Sequence, residues 1–314
     1  MTGNKDIKTY LVKNFVIAVG LSFLFAFLIT FIIVSRDFNN IKKQSISTIV
    51  NDEAGTITAR IDEMFASAKT IAADEVIANP NVPLDKKITK MSQYGHQLGI
   101  GSLGYITKEG YLTSTDGFEN DISERQYFKD LMQDIPYISY PQFNTATGKQ
   151  IIFIGVPRYY NGEIVGAMTC CFDSSVLSDL VTQLNYMGEG RSYMISDTGL
   201  TIASYDLDAV LNNYNILELA ETDSSLKESA KIHEIMLSNE SGYLEFDNKY
   251  LFYDNVRNGA NWTLVFELPK SVFSREIYSI LKVFVFCMIV TISIVVVVSL
   301  NLGKKLENKT SSQQ

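Results

Sequence analysis

Two runs of the chain have no polar break. Phe15 to Val34 reads FVIAVGLSFLFAFLITFIIV, twenty residues without a charge, and Val283 to Leu300 reads VFVFCMIVTISIVVVVSL, eighteen without one. About 20 apolar helical residues cross a bilayer core, and neither run keeps the polar stripe usual for a buried core helix, so both are expected to span a membrane. After the first run, apolar residues recur at Ile41, Ile46, Ile49, Val50, Ile57, Ile61, Met64, Phe65, Ala68, Ile71 and Ala72. Those steps of three, four and seven mark one face of a long helix. Forty helical residues rise about 60 Å, too far for half of a globule, so this segment is expected to be a stalk. Pro80 and Pro83 are expected to end it.

From Gly99 the pattern shortens to strands and turns. GYITKEGYLTST has two β-rich runs around Lys108-Glu109-Gly110, a hairpin signal. KQIIFIGVPRYY and EIVGAMTCCFD flank Asn161-Gly162, the strongest short turn signal, and predict a second hairpin. Val176 to Leu184 has helical spacing, and a short helix begun by Asp121 or Ser123 is expected up to Met132. The grammar then repeats: RSYMISDTGLTIAS aligns with GSLGYITKEGYLTS, Gly199 on Gly110 and Ile195 on Ile106. Gly242 to Phe246, a turn at Asp247-Asn248, Lys249 to Tyr253 and Asn261 to Glu267 complete a smaller second unit. The fold class is therefore α+β: a long N-terminal stalk helix and two tandem antiparallel-sheet modules, flanked by two transmembrane helices. The expected boundaries are 1–14 for an N-terminal tail, 15–35 for the first span, 36–79 for the stalk, 80–187 and 188–275 for the two modules, 281–301 for the second span and 302–314 for a short tail.

Charge sets the orientation. Lys5, Lys8 and Lys13 precede the first span and Lys304, Lys305 and Lys309 follow the second, so both ends are expected in the cytoplasm, with Arg36 to Lys282 as one external loop. The first run exceeds the core of a signal peptide and no Ala-x-Ala site follows it, which favours an uncleaved anchor. The tails hold six of the 27 basic and two of the 35 acidic residues, leaving 21 against 33 and a formal charge of −12 on the loop. That balance argues against nucleic acid or an anionic surface as partner. Cys170 and Cys171 are adjacent and Cys287 lies inside a span, so reduced thiols are expected rather than a disulfide framework.

Anchor, stalk helix, two sheet modules and second anchor together resemble a double Cache sensor domain, the PAS-like extracellular input of many bacterial chemoreceptors, sensor histidine kinases and diguanylate cyclases. The residues that carry the likeness are Arg125-Gln126-Tyr127-Phe128 in the first module, Ile151 to Val156 with Gly162 and Gly166, Tyr193 to Gly199, and Asn261 to Val265 opening the last strand. The resemblance covers residues 36–275 and implies a small ligand bound in the membrane-distal module. In the family's amino-acid-binding branch an Arg followed by an aromatic pair grips the ligand carboxylate, and a later Asp takes the ammonium. Arg125, Tyr127, Phe128 and Asp173 match those positions, with Tyr-Phe where the branch prefers Trp-Tyr. A second acid usual in that branch is missing; Ser139, Tyr140 and Thr145 occupy its region. A guanidinium fork does pair bidentately with a planar carboxylate. Tyr105, Tyr140 and Ser114 are further candidate lining residues.

Plainer readings stand beside these. Arg125 fits a bridge to Glu124 or Asp121 on a solvated helix face, Tyr127 and Phe128 fit core positions, and Asp173 fits the N-cap of the helix begun by Ser174-Ser175. Catalytic signals are absent: His96 and His233 have no partner at metal spacing, and no Gly-x-Ser-x-Gly, P-loop or kinase motif occurs. Asp197, Asp206 and Asp208 read as solvated loop acids rather than a Ca²⁺ site. Neither enzyme activity, cofactor nor metal is expected. The expected function is a membrane-anchored sensor that binds an amino acid, amine or organic acid and passes a signal across the membrane, paired as a homodimer along the stalk stripe. The fourteen residues after Leu300 are too few for an output domain, so the signal is expected to reach either a domain lost by truncation or a separate cytoplasmic partner. The rival reading is a structural or interaction module.

Overall fold

The computed structural model describes residues 3–143, 148–257 and 261–311; Thr145 lies outside them. The chain divides into two units, residues 46–268 and residues 1–45 with 269–314. Helix α1 (Gly3–Ala72) contributes to both. Within residues 46–268 its apolar stripe is buried: Ile46, Ile57, Ile61, Ala68 and Ile71 are wholly inaccessible. Asn51 Nδ2 donates to Asp254 Oδ2 at 3.0 Å and Thr58 Oγ1 accepts from the Arg257 N–H at 3.1 Å, so the helix lies against the second module. From Ile46 onward the stripe is thus covered largely by the chain itself, whereas Ile41 remains exposed.

The helix also ends earlier than its prolines suggest. It stops at Ala72, and Asp74 caps the separate turn α2 (Glu75–Ala78) by accepting the Val76 N–H. An unanticipated helix α3 (Leu84–Leu98) follows, closed by Gly99 in the left-handed region. The Tyr94 hydroxyl of α3 donates to the second oxygen of Asp74 at 2.9 Å. One aspartate therefore joins the three helices, and local capping decides the break that the prolines were expected to make.

The first sheet contains β1 (Ser102–Thr107), β2 (Tyr111–Ser114), β3 (Glu119–Asp121), β4 (Tyr137–Ile138), β5 (Gln142–Phe143), β6 (Gln150–Tyr160) and β7 (Glu163–Asp173), in the order β3-β2-β1-β7-β6-β4 with β5 beside β6. Helix α4 (Gln126–Leu131) sits between β3 and β4, and α5 (Ser175–Gln183) follows β7. The β6–β7 turn has Asn161 and Gly162 at φ 52° and 85°, the double positive φ that a two-residue hairpin needs. The second sheet contains β8 (Arg191–Ile195) and β9 (Thr201–Ser204), then β10 (Ser241–Phe246), β11 (Lys249–Val256) and β12 (Trp262–Pro269), in the order β10-β11-β12-β8-β9. Helices α6 (Leu207–Leu211), α7 (Ile216–Thr222) and α8 (Lys227–Leu237) lie between β9 and β10. Reversed, that order matches β2-β1-β7-β6 of the first sheet, so the sequence repeat is also a topological one.

The helix expected from Asp121 or Ser123 begins instead at Gln126, with Arg125 as its capping residue. Asp121 is the last residue of β3, paired with Tyr111, and its carboxylate turns the chain by accepting the Ser123 N–H.

The other unit holds the N-terminal part of α1 and helix α9 (Lys270–Ser311). Each contains a segment long and apolar enough to cross a membrane. The two touch through Phe27 and Phe31, both edge-on to Phe284 at 5.9 Å. Lys42 is buried and donates to the Val272 carbonyl at 3.0 Å.

One buried cation organises the first sheet's other face. Arg158 on β6 is wholly inaccessible; its guanidinium lies 3.9 Å from the Tyr105 ring centre and donates to the carbonyls of Ile77, Ala78, Ile106 and Val165. Burial depresses its affinity for its own proton. Arg158→Met leaves those carbonyls without donors and is expected to cost about 2–4 kcal/mol in a denaturant titration, with no rescue by Arg158→Lys, whose single ammonium cannot span them.

Candidate ligand cavity

Strand alternation sends Ser102 and Gly104 of β1 to one face of the sheet and Leu103 and Tyr105 to the other. On the first face, Ser102 pairs with Cys171 and Gly104 with Thr169, while Phe153 of β6 pairs with Cys171 from the far side. These residues form the floor of a cavity of about 240 Å³. Gly104 keeps that floor open, because a Cβ there would come within 2.4 Å of Thr169 Oγ1 and 2.5 Å of Leu112 Cδ1. The walls include Ser114 at the end of β2 and Asp116 after it, Asn120 of β3, Arg125 and Tyr127 at the start of α4, and Gln142 of β5. The volume is at the small end for ligand sites, suited to a molecule of few atoms.

Of the residues singled out from sequence, Arg125, Tyr127 and Ser114 line this cavity together. The acids next to Arg125 in sequence are engaged elsewhere: Asp121 accepts the Ser123 N–H, and Glu124 pairs with Lys129 at 3.1 Å. Among the described residues Arg125 makes no ion pair, so the solvated-bridge reading does not hold and its fork remains available at the rim. Tyr127 stacks on Tyr137 at 5.3 Å and meets Phe153 edge-on at 5.2 Å.

Four others lie elsewhere, each for a local reason. Phe128 follows Tyr127 on a helix, about 100° around the axis, and so turns into a core of Ile106, Ile122, Leu131 and Ala167. Tyr105 follows Gly104 on a strand and faces the helices, where its hydroxyl accepts from Lys87 Nζ at 2.8 Å and its ring lies under Arg158. The Tyr140 hydroxyl donates to Asp197 Oδ1 of the second module at 2.7 Å; burial, and then that carboxylate, push its proton loss up to about 12. Tyr140 is thus a tie between modules. Asp173 shares a face with Cys171, but it is the last residue of β7 and its Oδ1 accepts the Ser175 N–H at 3.0 Å. The hydrogen bonds from Ser175, with Lys149 nearby, hold its carboxyl below the usual range. It turns the chain into α5, whose N-cap is Ser174, rather than lining the cavity.

The acid that does line the cavity is Asp116, which sequence reading passed over. It sits in the Ser114-Thr115-Asp116-Gly117 turn, where Ser114 Oγ donates to its Oδ1 and the Phe118 N–H approaches the same oxygen at 3.4 Å. Among the described residues, Arg125 and Asp116 are the only charged side chains of the lining. A turn Asp reads as a turn former from sequence alone. Thr169 and Cys171 were legible as the inward partners of a period-two strand, but only the register showed which face is inward.

Two antiparallel-sheet modules, the first enclosing a small polar cavity, form the architecture of a two-module binding domain. Residues 35–277 match the Cache domain family (dCache_1), and the chain belongs to it. Solved structures with a similar fold include the ligand-binding domain of the Pseudomonas aeruginosa PAO1 amino acid chemoreceptor PctC in complex with GABA. It has a TM-score of 0.57 at 15% identity, covering 72% of this chain and 100% of that one. The ligand-binding domain of the Pseudomonas fluorescens chemoreceptor CtaA with L-serine has a TM-score of 0.57 at 16% identity, over 74% and 99%. The sensory domain of the Campylobacter jejuni chemoreceptor Tlp3 (CcmL) has a TM-score of 0.59 at 11% identity, over 76% and 98%.

The electrostatics of the floor are testable. Burial pushes the Cys171 thiol up to about 12, and the Asp116 charge adds to the rise; burial also raises Cys170, on the opposite face. In a Cys287→Ser background both thiols should resist iodoacetamide near neutral pH. Asp116→Asn should speed alkylation of Cys171 alone under mildly alkaline conditions, read by peptide mass spectrometry; equal rates would place the Asp116 charge away from the floor.

Proposed function

We propose that the chain is a membrane-anchored sensor whose first module binds a small carboxylate ligand, with free amino acids favoured, outside the cell. The observation that carries this reading is Arg125, a guanidinium without an ion pair among the described residues on the wall of a small polar cavity. A carboxylate meets its planar fork with two parallel charge-assisted hydrogen bonds. Asp116, on the same lining, offers a counter-charge for an ammonium, so a zwitterion satisfies both walls where a simple organic acid satisfies one. The edge of Tyr127 and the small floor residues limit the side chain the ligand carries. The relatives with this fold include domains solved with GABA and with L-serine, which supports amino acids as the first class to test.

The two apolar helical segments anchor the chain, with Lys13 before the first and Lys304 after the second placing both ends in the cytoplasm. We take the module boundaries as 80–187 and 188–275, each enclosing one of the two sheets. A bound ligand shifts the balance between two packings of the first module only as far as its affinity for them differs. Two chain connections lead from the sheets toward the anchors: α1 is continuous, and β12 runs directly into α9. The signal is passed to the cytoplasmic side of the membrane.

Isothermal titration of the full chain in lipid nanodiscs against free amino acids tests the reading. Arg125→Ala should weaken the best ligand about ten- to hundredfold, the loss of charge-assisted hydrogen bonds worth about 1.5–3 kcal/mol. Asp116→Asn should weaken an amino acid more than its des-amino analogue, while Asp173→Asn, with its carboxylate outside the cavity, leaves affinity unchanged. Equal binding by wild type and Arg125→Ala removes the proposal.

A further inference from the structure

The repeat that places Ser102, Gly104 and Ile106 on β1 places Arg191, Tyr193 and Ile195 on β8. Strand β8 pairs with β12 as β1 pairs with β7, so Glu267 opposite Arg191 stands where Cys171 stands opposite Ser102. Over that equivalent face the second module also opens a cavity, of about 520 Å³, roofed in part by Ser229 and His233 of α8. We propose that this cavity is a second ligand site, separate from the first, and that it takes an organic amine in its cationic form.

Charge and aromatic surface both point to a cation. The lining carries four carboxylates, Glu267, Asp206, Asp208 and Asp247, against one ammonium, Lys249. Lys249 Nζ bonds Glu267 Oε2 at 2.9 Å, which fixes this carboxylate inside the cavity and leaves Oε1 without a hydrogen bond among the described residues. The Arg191 guanidinium is outside the lining and lies 4.9 Å from the centre of the Tyr205 ring. His233 adds no positive charge near neutral pH. Its Nδ1–H donates to the Ser229 carbonyl at 2.8 Å, its Nε2 takes the Tyr193 hydroxyl at 3.1 Å, and burial lowers its affinity for a further proton. Tyr193, Tyr205 and Tyr214 line the same space, Tyr193 with one face stacked on His233 and Tyr205 with one face under Arg191. Aromatic faces beside carboxylates attract an ammonium and offer nothing comparable to an anion.

The two modules thus differ where the repeat aligns them. Gly104 opens a small neutral floor in the first, whereas Tyr193 provides an aromatic one in the second. Their ligands need not coincide, and the second site stands whether or not Arg125 binds a carboxylate.

The test is isothermal titration of the full chain in nanodiscs with tyramine, putrescine and choline, and with 4-ethylphenol as a neutral match for tyramine. At least one amine should bind saturably, with 4-ethylphenol weaker than tyramine by at least about tenfold if tyramine is that amine. Glu267→Gln should weaken the amine about tenfold or more. Ala209→Trp, which fills the cavity without changing its charge, should abolish binding, and Arg125→Ala should leave it intact. Asp208→Asn, at an exposed rim position, should weaken it about threefold without touching the Lys249–Glu267 pair, which guards against misfolding of the buried variants. Absence of saturable binding by all three amines overturns the proposal, as does binding lost in Arg125→Ala or indifferent to both Glu267→Gln and Ala209→Trp.

Discussion

The first module depends on the enclosure of one guanidinium. Arg158 sits in a strand that is otherwise apolar, and burying a lone cation is costly unless its donors are met. Here its two terminal nitrogens are met by backbone: the end of α2, the Ile106 carbonyl of β1 and the Val165 carbonyl of β7 converge on them, with the Tyr105 ring beneath, while its Nε has no hydrogen-bond partner among the described residues. The arrangement also dictates a glycine. A Cβ at Gly166, whose φ is 143°, would come within 2.3 Å of the Ile106 carbonyl and 2.7 Å of Arg158 Nη2. Helix layer and sheet are thereby locked through main-chain atoms, which no neighbouring side-chain change can remove.

Strand β1 divides two environments. One face, Ser102 and Gly104, belongs to the cavity; the other, Leu103 and Tyr105, belongs to the helices and to the Arg158–Lys87 pair of buried cations. A shift of the cavity floor therefore moves the same backbone that carries Tyr105, because strand alternation leaves no intermediate layer. The second module repeats the strand order without repeating this device. Its equivalent face carries an ion pair and a histidine held neutral, so the same topology surrounds a different electrostatic interior.

Much of the fold was legible because its signals are local. Asn161-Gly162 and Asp247-Asn248 demand positive φ at both positions, and the structure supplies it at each. The offset between Gly110 and Gly199 marked equivalent turns, both at positive φ. The period of the α1 stripe was also readable, yet what covers the stripe was not, since periodicity reports that a face is buried and not by what. The short strands β3 to β5 and helices α6 and α7 escaped notice because they are too brief for a period to register.

The candidate site divides in the same way. Residue order alone placed Arg125 and Tyr127 beside each other at a helix start, and one helical step then forced Phe128 away from Tyr127. Alternation likewise settled that Tyr105 could not share a face with Gly104. What only the tertiary structure decided was which acid joins them. Asp173 looked suited by its place at a strand end, but its carboxylate accepts the Ser175 N–H in the turn into α5, outside the cavity. Asp116, distant in sequence from any ligand signal, entered because the β2–β3 turn folds back over the floor. Sequence specifies which faces and turns form; the identity of the charges that meet across a cavity depends on register and on competing backbone donors, which exist only once the chain has folded.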